Sequence, residues 1–98
     1  TRETGEKHWE TLPRARAEEN TAYVLAAGQC GRKTAFEAYG HSMIIDPFGE
    51  ILAEAGEEPE VLIAELSSER LMQARVSLPS LAGRRTDVYH LDGKIRKY

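Results

Sequence analysis

Residues 4–20 have the spacing of apolar and polar positions that is typical of a helix. Thr4 can cap its first turn, and Asn20 is a residue type that ends helices in the left-handed conformation. Pro13 conflicts with an unbroken helix, because an interior proline removes one hydrogen bond and clashes with the preceding turn. The sequence therefore predicts either a kink near Trp9 or a regular helix that starts only near Thr11.

Short apolar runs follow the first helix and predict four strands. They lie at residues 22–27, 41–46, 50–55 and 60–66. The sequence "DPFG" at residues 46–49 joins the middle two, and its Asp, Pro and Gly stand where a type I turn favours them. We therefore expect a hairpin at this turn, and a loop between the first two strands.

A second helical pattern occupies residues 67–78. Ser67 can cap it, Leu71 and Ala74 share one face with Leu78, and Pro79 ends it. Residues 80–98 have no strong period and predict an irregular arm. Divided by element, the chain is a helix at 1–20, strands at 21–66, a helix at 67–79 and an arm at 80–98.

The predicted strands are apolar without alternation. Residues 24–27, 43–45 and 61–64 are unbroken apolar runs, which indicates strands buried on both faces. Two helices can cover one face of a four-stranded sheet, and nothing else in the chain is left to cover the other. The pattern thus predicts half of a sandwich, whose second sheet belongs to missing sequence or to a partner chain.

Composition excludes several functions. The 98 residues include 41% hydrophobic and 30% charged residues, with a net charge of −3 and one cysteine. The chain has no basic stripe of the kind that binds nucleic acid. It also has no apolar run of the roughly 18 residues needed to cross a membrane. A single cysteine makes no internal disulfide, so we expect a reducing cytoplasmic location.

Three segments carry a family resemblance: "TGEKHWETLPRARAEENTAYVLAAGQCGRK", "YGHSMIIDPFGEILAEAGEE" and "LMQARVSLPSLAGRRTDVY". In this order they resemble the C-terminal part of the carbon–nitrogen hydrolase (nitrilase) superfamily. The branch is similar to the Nit-type amidases, which act on small ω-amides such as those of α-keto acids or deaminated glutathione. The resemblance covers roughly residues 4–89.

The resemblance implies an α+β fold, the C-terminal half of an αββα sandwich that dimerises, or assembles further, as a homo-oligomer. It also implies a Cys nucleophile assisted by Glu and Lys, which cleaves a small amide or nitrile through a thioester. In family order these residues lie upstream of the matched segments. We therefore expect residues 1–98 to be the C-terminal part of one domain and inactive alone, with the N-terminal half of that domain as partner.

Cys30 has two readings. As a nucleophile it needs a base and a lowered pKa, and its neighbours Gln29, Gly31 and Arg32 offer only a positive charge. Otherwise it is a small, partly buried residue at a strand end that can still line a pocket. We favour the second reading and predict no catalytic residue within the chain.

Six further residues border the substrate pocket if the resemblance holds. Thr4 and Gly5 lie on a loop that borders the active-site mouth in the family, His8 and Trp9 follow it, and Phe36 and Tyr39 lie on a loop that helps close the pocket. The alternatives are exposed loop residues and, for Trp9, plain packing. His8, His41 and His90 do not have metal-ligand spacing, so we expect no metal and no cofactor.

Two function classes remain. The first is the amidase portion described above. The second is a non-catalytic binding or assembly module that self-associates through the exposed sheet face.

Overall fold

The first helical pattern folds as two helices separated by Trp9 and Glu10. In this computed structural model, which describes residues 1–90 and 92–93, α1 is Arg2–His8 and α2 is Thr11–Asn20. Pro13 is the third residue of α2, where backbone N–H groups have no partner within the helix, so it costs no helical hydrogen bond. The predicted interruption near Trp9 is confirmed.

Both predicted end residues of this segment are wrong, the first by three positions and the second by one. Thr1 is the N-cap of α1, and its hydroxyl accepts a hydrogen bond from the Thr4 N–H. Thr21, with φ of 47°, takes the left-handed conformation that Asn20 was expected to take. Asn20 is the last residue of α2, and its side-chain amide donates to the Arg16 carbonyl at 3.0 Å.

Five strands and a third helix follow. They are β1 (Val24–Ala26), β2 (Cys30–Arg32), β3 (Glu37–Tyr39), β4 (Met43–Ile45), β5 (Ile51–Glu54) and α3 (Ser68–Ser77). Strands β1, β4 and β5 form an antiparallel sheet in that order, and β2 pairs with β3 in a separate two-stranded hairpin. The α3 prediction is confirmed: Ser67 accepts from the Arg70 N–H, and the helix ends before Pro79.

The predicted turn at residues 46–49 is confirmed. Gly49 N–H donates to the Asp46 carbonyl at 2.9 Å, and one oxygen of the Asp46 carboxylate accepts from the N–H groups of Phe48 and Glu50. Gly49 has φ of 85°, a conformation that glycine adopts without strain. This turn sets the register of β4 against β5.

Two parts of the strand prediction are wrong. Residues 60–66 are not a strand, because the structure pairs them with no neighbouring strand, and Val61 and Ile63 are 85% and 87% exposed. Conversely, the predicted loop between the first two strands contains the β2–β3 hairpin. Its sequence has little apolar alternation, so backbone pairing across Lys33 and Phe36 defines it instead.

The core lies on one face of the three-stranded sheet. Ala17 of α2 packs there with Met43 and Ile45, and Trp9, Val24, Ala26 and Ile51 surround them. Leu25 is in register with Ile44 on the opposite face and is 64% exposed. Within the residues that the structure describes, this face is only partly covered: Ile44 is half-buried and lies near Leu62, whereas Leu25 is exposed. The described helices contain at most ten residues, and none is long and apolar enough to cross a membrane.

Candidate functional site

A hollow of about 700 Å³ opens between the two N-terminal helices, β1 and the β2–β3 hairpin. The structure brings six of the seven predicted border residues to its wall: Thr4, Gly5, His8, Trp9, Phe36 and Tyr39. Cys30 does not line it. That these six residues border a substrate remains a prediction, which the proposal below takes up.

Gly5 explains how α1 comes close enough to form this wall. A methyl group at Gly5 would lie 2.6 Å from Cβ of Tyr39, far inside van der Waals contact. Because Cβ is fixed to the backbone, no rotamer change of Tyr39 would relieve that clash. The absence of a side chain at Gly5 thus allows α1 to pack directly against β3.

Trp9 lies at the junction of the two helices and has two roles in the structure. Its indole N–H donates to the His41 carbonyl at 2.6 Å, while its ring packs on the Met43 and Ile45 core. Gly28 lies against the same ring, since a methyl group there would be 3.3 Å from it and 2.8 Å from the Gly40 carbonyl. Trp9 therefore both lines the hollow and anchors its floor to the core.

The backbone turns sharply at His41, which follows the hairpin. His41 has φ of 56°, and its ring stacks on Tyr39 with the centroids 4.0 Å apart. Its Nδ1 lies 2.8 Å from the Tyr39 carbonyl, which can only accept, so Nδ1 carries the proton. Ser42 adds two hydrogen bonds to the backbone of Gly28. These contacts fix the end of β3 beside the hollow.

Cys30 lies on the hairpin but outside the lining of the hollow. It is a free, partly buried thiol in β2, paired with Tyr39 of β3. Its Cβ lies 3.2 Å from the position that a methyl group on Gly40 would take, so the thiol carbon packs against backbone. Among the predicted border residues, Cys30 neighbours Tyr39 across the hairpin, but it does not line the hollow with the other six.

Arg2 joins three segments around the hollow, and sequence reasoning missed it. Its guanidinium pairs with Glu6 at 2.7 Å, with Glu37 at 3.1 Å and with Glu57. These hydrogen bonds, those to Glu6 and Glu57 foremost, raise the pKa of Arg2 above its ordinary value. The i,i+4 spacing to Glu6 is visible in the sequence, whereas the pairs with β3 and with the segment after β5 depend on the fold.

The lining determines what the hollow can do chemically. Apolar side chains dominate it, and the polar groups are few, which suits a small organic molecule held by one or two directed contacts. Among the described residues that line it there is no cysteine, carboxylate or lysine. The part of the chain that the structure describes also contains no group of three potential metal ligands. The hollow can bind a ligand, but its lining contains no paired thiol and base.

Comparison with known proteins identifies the class. The sequence model of the carbon–nitrogen hydrolase family matches residues 1–76, and the chain belongs to this family. Its structural neighbours are αββα sandwiches of the nitrilase superfamily. The α+β architecture expected from the sequence is therefore confirmed.

Individual relatives are amidases. The deaminated glutathione amidase of Synechocystis is 51% identical over 82 residues, covering 83% of this chain and 30% of the relative. The bovine omega-amidase NIT2 is 37% identical over 92 residues, covering 93% of this chain and 33% of the relative. The crystal structure of the C. elegans NitFhit protein matches with a TM-score of 0.85 and 42% identity, over 92% of this chain and 22% of that chain. The chain thus spans about a third or less of each.

Proposed function

We propose that this chain is the C-terminal part of a carbon–nitrogen hydrolase that cleaves a small amide. The observation that carries the proposal is the 51% identity to a deaminated glutathione amidase, which extends over 83% of the chain but only 30% of the relative. The bovine omega-amidase match supports the same reaction class and has the same partial coverage. Hydrolysis of a nitrile is the less supported variant, because both relatives are named as amidases.

The catalytic groups belong, in this proposal, to the part of the relatives that the chain does not span. A Cys thiolate there attacks the amide carbon, a lysine stabilises the oxyanion, and a glutamate gives a proton to the departing ammonia. The same glutamate then takes a proton from water, which hydrolyses the thioester to the acid and regenerates the thiol. The lining of the hollow supports this division, since its described residues include no cysteine, carboxylate or lysine.

The chain's own contribution is one wall of the substrate site. In this proposal six residues border the bound amide: Thr4, Gly5, His8, Trp9, Phe36 and Tyr39. Among these six, the hydroxyls of Thr4 and Tyr39 and the imidazole of His8 can orient it, and Thr1, Arg16 and Gln29 add further polar groups to the lining. Cys30 lies near this wall without taking part in the chemistry. Residues 1–98 form one domain with the N-terminal half, and the intact protein is a cytoplasmic homo-oligomer.

The test is an ammonia-release assay on the intact protein, with deaminated glutathione and small ω-amides of α-keto acids as substrates. We expect hydrolysis of at least one of them, and no hydrolysis by residues 1–98 alone. Cys30→Ser in the intact protein should keep most of the activity, whereas near-total loss would overturn the interpretation of Cys30 as a non-catalytic residue. An intact protein that hydrolyses none of these amides would refute the proposal.

A second function is favoured by one observation, the exposed side chain of Leu25 on the outer face of the sheet. A non-catalytic module would use this face to self-associate. It predicts a dimer of residues 1–98 by sedimentation, together with an intact protein that has no amidase activity. Amidase activity in the intact protein would exclude it.

A further inference from the structure

We propose that Arg2 is a positioning residue that holds the β2–β3 hairpin against α1 and thereby sets how tightly the hollow binds its ligand. The identity of the ligand as a small amide rests on the proposed function. The contacts of Arg2 with the hairpin are observed in the structure.

The geometry of Arg2 supports this role because its three partners lie on three different segments. Glu6 is on α1 itself, Glu37 begins β3, and Glu57 lies in the segment that follows β5. One guanidinium therefore ties the helix to the hairpin and to the end of the main sheet. The Arg2 side chain is 31% exposed and its carboxylate partners are 54%, 44% and 51% exposed, so each pair alone contributes little and the role depends on their convergence on one cation.

Apart from the packing of Gly5 on Tyr39 and the hydrogen bond from His41 N–H to the Gly56 carbonyl, Arg2 gives the hairpin its link to α1 and to the segment after β5. A two-stranded hairpin is marginally stable on its own. Its strands have three residues each, and they are paired with each other and with no strand of the main sheet in the described residues. The hairpin nevertheless carries Phe36, Ala38 and Tyr39, which form one side of the hollow. Any loosening of the hairpin therefore moves part of the wall.

Charge makes the effect of losing Arg2 larger than the loss of one ion pair. Glu6, Glu37 and Glu57 converge on the same cation, so without it three carboxylates would face one another. Their repulsion would push the hairpin away from α1. A lysine at this position keeps the charge but lacks the planar fork that reaches several carboxylates at once.

The experiment measures amide hydrogen exchange and steady-state kinetics in the intact protein. In Arg2→Gln we expect exchange of the Lys33 and Gly40 amides, which donate within the hairpin, to be about threefold to tenfold faster. The Asp46 amide, which donates across the β4–β5 turn, serves as the unchanged reference. We expect KM to rise by about the same factor with kcat within twofold, because a looser wall weakens ground-state and transition-state binding equally.

Matched variants distinguish a role of Arg2 in holding the hairpin from a general loss of stability. Glu37→Gln removes only the ion pair between Arg2 and β3, so it should give a smaller increase in hairpin exchange and in KM. It keeps the proposal testable if Arg2→Gln does not fold. Glu6→Gln breaks an ion pair of the same kind within α1 and should leave hairpin exchange unchanged. Arg2→Lys should fall between the wild type and Arg2→Gln in KM.

The outcomes distinguish this inference from the proposed function. Unchanged hairpin exchange in both Arg2→Gln and Glu37→Gln would overturn it, even in an active amidase. Faster exchange with unchanged KM would also overturn it, since the tie would then not affect binding. If the intact protein hydrolyses no amide, the proposed function fails, and the exchange measurement still decides whether Arg2 holds the hairpin.

Discussion

Gly5 is the residue at which the wall of the hollow depends on a single missing methyl group. In an ordinary helix a Gly→Ala change stabilises, by about 0.5 to 1 kcal/mol, because alanine loses less backbone entropy on folding. Here the methyl group would lie 2.6 Å from both Cβ and Cγ of Tyr39. The steric clash therefore opposes the gain in helix propensity. The clash is the larger effect because both Cβ atoms are bonded directly to the backbone and cannot move apart by a rotamer change.

We therefore expect Gly5→Ala to lower the free energy of unfolding by about 1 to 3 kcal/mol, the range observed for overpacked sites. Denaturant unfolding of the intact protein measures it. Gly56→Ala is the control, since a methyl group there meets nothing within 4 Å and should change stability little. A stabilised Gly5→Ala variant would show that α1 does not pack on β3 as described.

Single residues were only partly predictable from sequence. Six of the predicted border residues line the hollow, and they were predicted from the family resemblance rather than from the apolar pattern. Cys30 was included because a residue at that strand end can line a pocket, and its position depends on a hairpin that the apolar pattern did not reveal. Arg2 was missed because its pairing with Glu37 and Glu57 needs the tertiary fold.

Helix α3 is joined to the β4–β5 turn through one buried carboxylate. Asp46 has no exposed surface, and its second oxygen accepts from Nε of Arg70 at 2.6 Å while the first supports the turn. This contact raises the pKa of Arg70, whose guanidinium also lies over the Phe48 ring at 4.7 Å. The same side chain thus forms the turn and positions the helix.

Asp46→Asn should destabilise the intact protein by about 1 to 3 kcal/mol. Asparagine has no charge and only one acceptor oxygen. If that oxygen accepts from the turn, the N–H₂ group faces Arg70; if the oxygen faces Arg70 instead, the turn loses its acceptor. Thermal unfolding with the matched Glu50→Gln variant measures this. Glu50 is the exposed partner of the same arginine, 66% accessible, and its loss should lower Tm much less. An equal decrease in Tm in both variants would show that the buried carboxylate of Asp46 does not stabilise the protein more than the exposed carboxylate of Glu50.

The elements that sequence predicted well are those defined by local chemistry. Ser67 and Pro79 bound α3, and Asp46 with Gly49 bounds the hairpin turn, because caps and turns are satisfied by neighbours in sequence. Residues 60–66 were misjudged since an apolar run becomes a strand only where a partner strand is available. Pairing is a property of the fold, so composition alone could not decide it.

At the scale of the whole molecule, one face of the sheet is packed, and the other is only partly covered by the described residues. Val24, Ala26, Met43 and Ile45 face the core with α2, whereas Leu25 and Ile44 project from the other side. Unbroken apolar runs are typical of strands covered on both faces. The sequence pattern and the partial coverage of the relatives support the same interpretation, that the remainder of an αββα sandwich covers that outer face.

This interpretation predicts that position 25 responds to charge in the intact protein. If the outer face is covered by the rest of the domain, Leu25→Glu buries a carboxylate without a partner and should lower the free energy of unfolding by about 3 kcal/mol or more. Leu25→Met is the matched control, because it keeps an apolar side chain of similar volume and should cost less than about 1.5 kcal/mol. Denaturant unfolding and sedimentation on both variants give the answer. If Leu25→Glu instead left stability unchanged and converted a dimer to a monomer, the face would be an interface between copies, and the self-associating module would be the better account.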